Sequence, residues 1–117
     1  MDISFVLDGV MDEIVSADKI LKMEERQMDI CIFPNKERKE FLYVRYQVYK
    51  KNLYRYAIHS NTLVDSINWG TKEKGVNILL YGVDSLSFNQ EDNLLTLNWT
   101  INKRLVEQKV ALRGEKL

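Results

Sequence analysis

Residues 3–23 read ISFVLDGVMDEIVSADKILKM, and their apolar positions set the architecture. Ile3, Leu7, Val10, Ile14, Ala17 and Leu21 step by four, three, four, three and four. That spacing puts them on one side of an α-helix. Val6, Met11 and Val15 widen the stripe on one flank, and Ile20 lies near its other edge. Asp2, Asp8, Asp12, Glu13 and Asp18 fill the remaining positions, with Lys19 and Lys22 toward the end. This polarity suits the helix dipole. The spacing predicts a helix over 3–23 with a polar outer face. Such a helix gains little from propensity alone and needs an apolar surface to pack on. Everything after Gln27 reads as that surface.

The platform announces itself at 41–60, FLYVRYQVY–KKN–LYRYAIHS. Tyrosines and β-branched residues dominate both arms, a composition that favours strands. Lys50, Lys51 and Asn52 are expected to form the loop of a hairpin. Leu42, Val44, Tyr46 and Val48 form the expected core face of the first arm, with Tyr54, Tyr56 and Ile58 joining it from the second. Arg55 and His59 are then expected to point outward.

The flanks extend the same pattern. Met28–Phe33, MDICIF, reads as a strand stopped by Pro34, which cannot donate to a ladder. Asn61–Gly75 reads as a loop with room for one helical turn, and Val76–Gly82 is ambiguous between helix and strand. Val83–Asn89, Leu94–Ile101 and Leu105–Arg113 read as three further strands, the first two joined by a turn at QEDN, residues 90–93. One helix and about six strands in hairpins make an α+β class, an N-terminal amphipathic helix packed on an antiparallel β-sheet. The expected organisation is a single globular domain over 1–117, with the helix at 3–23 and a β-rich region at 28–113.

Composition narrows the function classes. The chain has 117 residues, enough for one modest core, and 17 bases balance 17 acids. No global field draws it to nucleic acid or to an anionic membrane. The balance hides a split: residues 1–25 carry a net −5, and residues 36–55 carry a net +5. An acidic helix face beside a basic hairpin accounts for it, and a charge-complementary contact with another copy or partner is the alternative. Cys31 is the single cysteine, in an apolar run, and is expected to behave as a small core residue. No run approaches the roughly 20 apolar residues of a membrane span, and no signal-peptide pattern is present. The abrupt opening into an amphipathic helix is what removal of an upstream segment would leave.

Catalytic and metal constellations are not found in the sequence, so no catalytic residue, cofactor or metal is assigned. His59 is the single histidine, which leaves out histidine-rich metal sites and His-paired charge relays. Asp65, Asp84, Glu91 and Asp92 do not have the spacing of a cation loop. There is no Gly-rich phosphate loop or dinucleotide signature. Asn98-Trp99-Thr100 matches the glycosylation triplet but falls mid-strand. The hairpin interleaves tyrosines with bases, a pattern that can stack bases and track phosphates. Lys50, Lys51 and Arg55 are the residues through which its tip would touch DNA, the lesser of the readings for this segment.

The order of elements resembles the globular part of type IV pilin-like proteins, in particular minor pilins and pseudopilins. LDGVMDEIVSADKILKM followed by MDICIF is similar to the helix end and first strand of that family. YQVYKKNLYR (46–55), LYGVDSLSFNQEDNLLTL (80–97) and KVALR (109–113) resemble its later segments. The family's leader peptide, the glutamate that follows it and the apolar anchor do not occur in this sequence. The resemblance implies a non-enzymatic filament subunit, of a type IV pilus, a type II secretion system or a DNA-uptake filament, acting in assembly initiation or at the tip. It implies other pilin-like subunits as partners, membrane anchorage through an N-terminal helix before assembly, and a cell-surface or extracytoplasmic location. On that view Phe5, Val6, Asp8 and Asp12 contact neighbouring subunits, while Leu7, Val10, Ile14 and Leu21 hold the subunit's own sheet. The competing reading is a small cytoplasmic α+β binding module for an apolar ligand or peptide.

Overall fold

The helix stops earlier than the apolar spacing predicts. In a computed structural model describing residues 3–112, α1 spans Ile3–Val15, and the chain re-emerges as strand β1, Lys19–Glu24. Residues of low helix propensity, Val15, Ser16 and Asp18, crowd the break. The Ser16 hydroxyl donates to the Asp12 carbonyl at 3.0 Å, and the Ala17 amide bonds to the Ile14 carbonyl at 3.1 Å, tightening the last turn. The Asp18 carboxylate then accepts from the Phe33 amide at 2.7 Å, and the Asp18 amide donates to the Cys31 carbonyl. These bonds tie the segment to a neighbouring strand instead of to another helical turn. Ala17 and Ile20 stay in the core, so the stripe that runs into 17–21 is satisfied by a strand. Leu21 sits at an irregularity in β1 and is half-buried, not on the helix.

β2 (Gln27–Ile32), β3 (Phe41–Tyr49), β4 (Asn52–Ser60) and β5 (Gly75–Tyr81) follow. With β1 they form one antiparallel sheet in the order β1-β2-β3-β4-β5. β6 (Val83–Glu91), β7 (Leu94–Ile101) and β8 (Arg104–Ala111) form a second, three-stranded sheet in sequence order. The structure thus holds eight strands among the described residues where about six were expected. The additions are β1 and the ambiguous segment before Gly82. Arg113 and the tail after it, the outer limits of the expected domain and Asp2 lie outside the described residues.

Gly82 makes the passage between the sheets. Its φ of +77° is left-handed, and a Cβ there would lie 2.3 Å from the Asn102 side-chain oxygen. The chain turns at this point and leaves the plane of β5 to start β6.

One apolar cluster joins all three layers. Met28, Ile30, Val44 and Leu53 come from the first sheet, Leu86, Leu95, Leu97 and Trp99 from the second, and Leu7, Val10 and Ile14 from α1. α1 lies against β5 of one sheet and β8 of the other. The fold is α+β with a single N-terminal helix packed on antiparallel sheet, as the apolar stripe predicts.

The β3–β4 hairpin corrects one expectation. Its loop has two residues, Lys50 and Lys51, with φ of +49° and +65°, and Asn52 already pairs with Tyr49. Two left-handed residues make the tight turn whose twist suits a hairpin. A register one residue away from the expected one exchanges the two faces of a strand. Leu42, Val44, Tyr46 and Val48 are buried as expected, but their partners are His59, Ala57, Arg55 and Leu53. Tyr54, Tyr56 and Ile58 lie on the opposite face with Tyr43 and Arg45. Arg55 therefore points toward the helix, while His59 remains exposed at the strand end.

Candidate functional site

The register places Arg55 under α1, and the helix supplies its partner. Arg55 Nε donates to Glu13 Oε1 and Nη2 donates to Oε2, both at 2.8 Å. The Tyr46 hydroxyl donates to the same carboxylate. Burial alone raises the Glu13 carboxyl, but the bonds from Arg55 and Tyr46 outweigh it and hold the group below its ordinary value. The Tyr46 phenol is pushed well up, first by burial and then by the adjacent Glu13 charge. The acidic helix and the basic hairpin thus meet inside the chain, which uses part of their complementary charge.

This triad closes one end of a groove between α1 and the edge strand β5. The groove encloses about 480 Å³. Phe5, Val6, Gly9 and Val10 form its helix wall, and Asn77, Ile78 and Leu79 form its strand wall. Gly9 leaves the wall open because no atom lies within 4 Å of where its Cβ would be. Phe5 stands at the lip, 78% exposed.

The structure divides the residues singled out from sequence. Phe5 and Val6 line the groove together. Asp8 and Asp12 are exposed, and Asp12 instead borders a polar cleft of about 750 Å³ near the helix end, with Asp18, Asn35 and Arg38. Lys50 and Lys51 occupy the β3–β4 turn, where Lys50 lies over the Tyr49 ring and Lys51 approaches Asp84 at 3.9 Å. Arg55 is apart from them, its guanidinium held by Glu13. Sequence reasoning missed Glu13, Tyr46 and the β5 wall. The signal available was the pairing rule itself, since Tyr46 and Arg55 are opposite each other once the turn has two residues.

Three other groups are structural in their surroundings. Cys31 is fully buried, and burial raises its thiol, which makes it a poor nucleophile. On the outer face of the first sheet, Arg45 grips Asp29 with bonds of 2.8 and 2.9 Å and lies 5.1 Å from the Trp69 ring. The Tyr43 hydroxyl donates to the Thr62 carbonyl and accepts from the Val64 amide, fastening the 61–74 loop over that face. Among the described residues, Asp65, Asp84, Glu91 and Asp92 do not gather into a metal-binding group. No described helix is long and apolar enough to cross a membrane.

Neither a family model nor a curated protein matches the chain. The groove between α1 and β5 is the feature in which exposed apolar surface, a polar anchor and sequence-selected residues coincide.

Proposed function

We propose that the chain is a non-enzymatic assembly subunit of the pilin-like class, a minor pilin or pseudopilin of a type IV pilus, a type II secretion system or a DNA-uptake filament. Its work is assembly initiation or a tip position, and its partners are other pilin-like subunits. The observation that supports this reading is the two-sidedness of α1. Leu7, Val10 and Ile14 are buried against the domain's own sheets, while Phe5, Asp8 and Asp12 on the outer flank are exposed. Phe5 and the exposed Ile78 line one groove with Val6 and Leu79, and apolar side chains gathered in a single exposed patch point to a surface that is covered by a partner. In the intact subunit the helix continues into a membrane anchor, which fixes an extracytoplasmic or cell-surface location. Phe5, Val6, Asp8 and Asp12 carry the contacts, and no active site is needed.

Deletion of the gene in its source cell tests the reading. Loss of pili, of protein secretion or of DNA uptake is expected, with restoration by the full-length gene. Unchanged behaviour in all three would contradict it.

The groove itself favours a second reading, a small binding module that holds an apolar ligand or peptide between α1 and β5. Its volume of about 480 Å³ falls in the range of small-ligand sites.

A further inference from the structure

An open β-sheet exposes unpaired backbone groups along its edges, and proteins commonly protect such edges with charges. Among the described residues, the two sheets have four edge strands, β1, β5, β6 and β8. β1 carries Lys19, Lys22 and Glu24; β6 carries Asp84 and Glu91; β8 carries Arg104, Glu107 and Lys109. β5 reads GVNILLY and carries no charge. Val76, Ile78 and Tyr81 are exposed on it. This uncharged edge, whose ladder with β4 has one irregularity at Leu79, is also the one beside the α1 groove with Phe5 at its lip.

We propose that β5 and the adjoining flank of α1 form a two-fold interface with a second copy of this chain, in which the two β5 edges pair antiparallel. A closed two-fold contact brings each surface against itself, so any charge at the axis meets its own kind. An uncharged edge is the kind of surface that tolerates this. The two-fold axis stands perpendicular to the sheet, which keeps both helices on one face of a continuous ten-stranded sheet (twice the five strands of one copy). Each copy then offers a knob, Phe5, and a hole, the groove lined by Val6, Gly9, Val10 and Leu79, next to the same seam. A stable specific dimer buries on the order of 1,600 Å² in total, more than a seven-residue strand pair provides alone, so the helix flanks take part. The dimer shares Phe5 and Val6 with the filament contacts proposed above but does not rest on them, since it needs only the edge, the groove and a second molecule.

Sedimentation of the purified chain over a wide concentration range tests it. A monomer–dimer equilibrium is expected, with β5 amides not bonded to β4 gaining hydrogen-exchange protection as dimer forms. Ile78→Lys puts like charges against each other across the seam and should weaken association at least about tenfold. Phe5→Ser should weaken it through the helix flank instead. Both positions are exposed, so melting of the dilute variants should match the parent. Leu105→Lys, at an exposed site on β8, should leave association unchanged. A chain that stays monomeric at the highest concentration would overturn the proposal. So would a dimer indifferent to both Ile78→Lys and Phe5→Ser, or one that forms without protecting β5.

Discussion

Arg55 holds Glu13 through two bonds of 2.8 Å, tying the last turn of α1 to β4 across 42 residues of chain. Paired charge-assisted bonds of this geometry are stronger and more directional than a single contact. The pair is partly buried, with side-chain exposures of 23% and 19%, so water screens it less than a surface bridge.

Arg55→Ala and Glu13→Gln should each destabilise the fold by about 1–3 kcal/mol, because each leaves a charged or polar group without its partner. The double variant should cost clearly less than the sum of the two. Chemical denaturation of the four proteins measures this. Additive losses would mean the two side chains act separately.

The same pair gives a pH dependence with a definite sign. The folded-state pKa of Glu13 lies below its ordinary value, so its contribution is complete above the ordinary glutamate range, about pH 4.3. It is lost as pH falls through the lower folded-state value. Acidification should therefore weaken the parent more than Glu13→Gln. Equal acid slopes for the two proteins would contradict the assignment.

Ile14 is 1% exposed where α1 meets the sheets. Ile14→Asp puts a charge without a partner into that core and should cost about 3 kcal/mol or more, enough to unfold a marginal domain. Chemical denaturation showing a change below about 1 kcal/mol would mean that the stripe does not face the core.

Gly82 offers an independent check on the passage between the sheets. Gly82→Ala should destabilise by about 1–2 kcal/mol, since the left-handed backbone and the Asn102 side chain both oppose a Cβ. Adding Asn102→Gly should recover part of the loss by removing the clash. Thermal melting of the single and double variants decides it, and no recovery would leave backbone strain as the whole cost.

Much of this arrangement was legible from residue order. The 3.5-residue stripe named Leu7, Val10 and Ile14 as buried, and alternation in 41–49 named the core face of β3. The end of α1 was not legible, because Ala17, Ile20 and Leu21 satisfy a helical stripe and a strand equally well. Pairing with β2, a long-range contact, decided between them. The inward turn of Arg55 was hidden for a different reason. It depends on two lysines adopting left-handed backbone, which lysine composition does not signal and which the pairing of Tyr49 with Asn52 imposes. The groove was half visible: Val6 widened the apolar stripe and Phe5 was singled out only through the family resemblance, while its other wall is β5, a segment whose pattern alone did not distinguish helix from strand.

The proposed role gives α1 a bound side and a side left for neighbours. Site-specific photo-crosslinking in the source cell tests it most directly, with a photoreactive residue at position 5 in one strain and at position 14 in another. On the proposed filament reading, position 5 should yield adducts with other subunits, and position 14 should yield only crosslinks within the chain. Adducts to partners from position 14, or none from position 5 while the filament is assembled, would contradict the account.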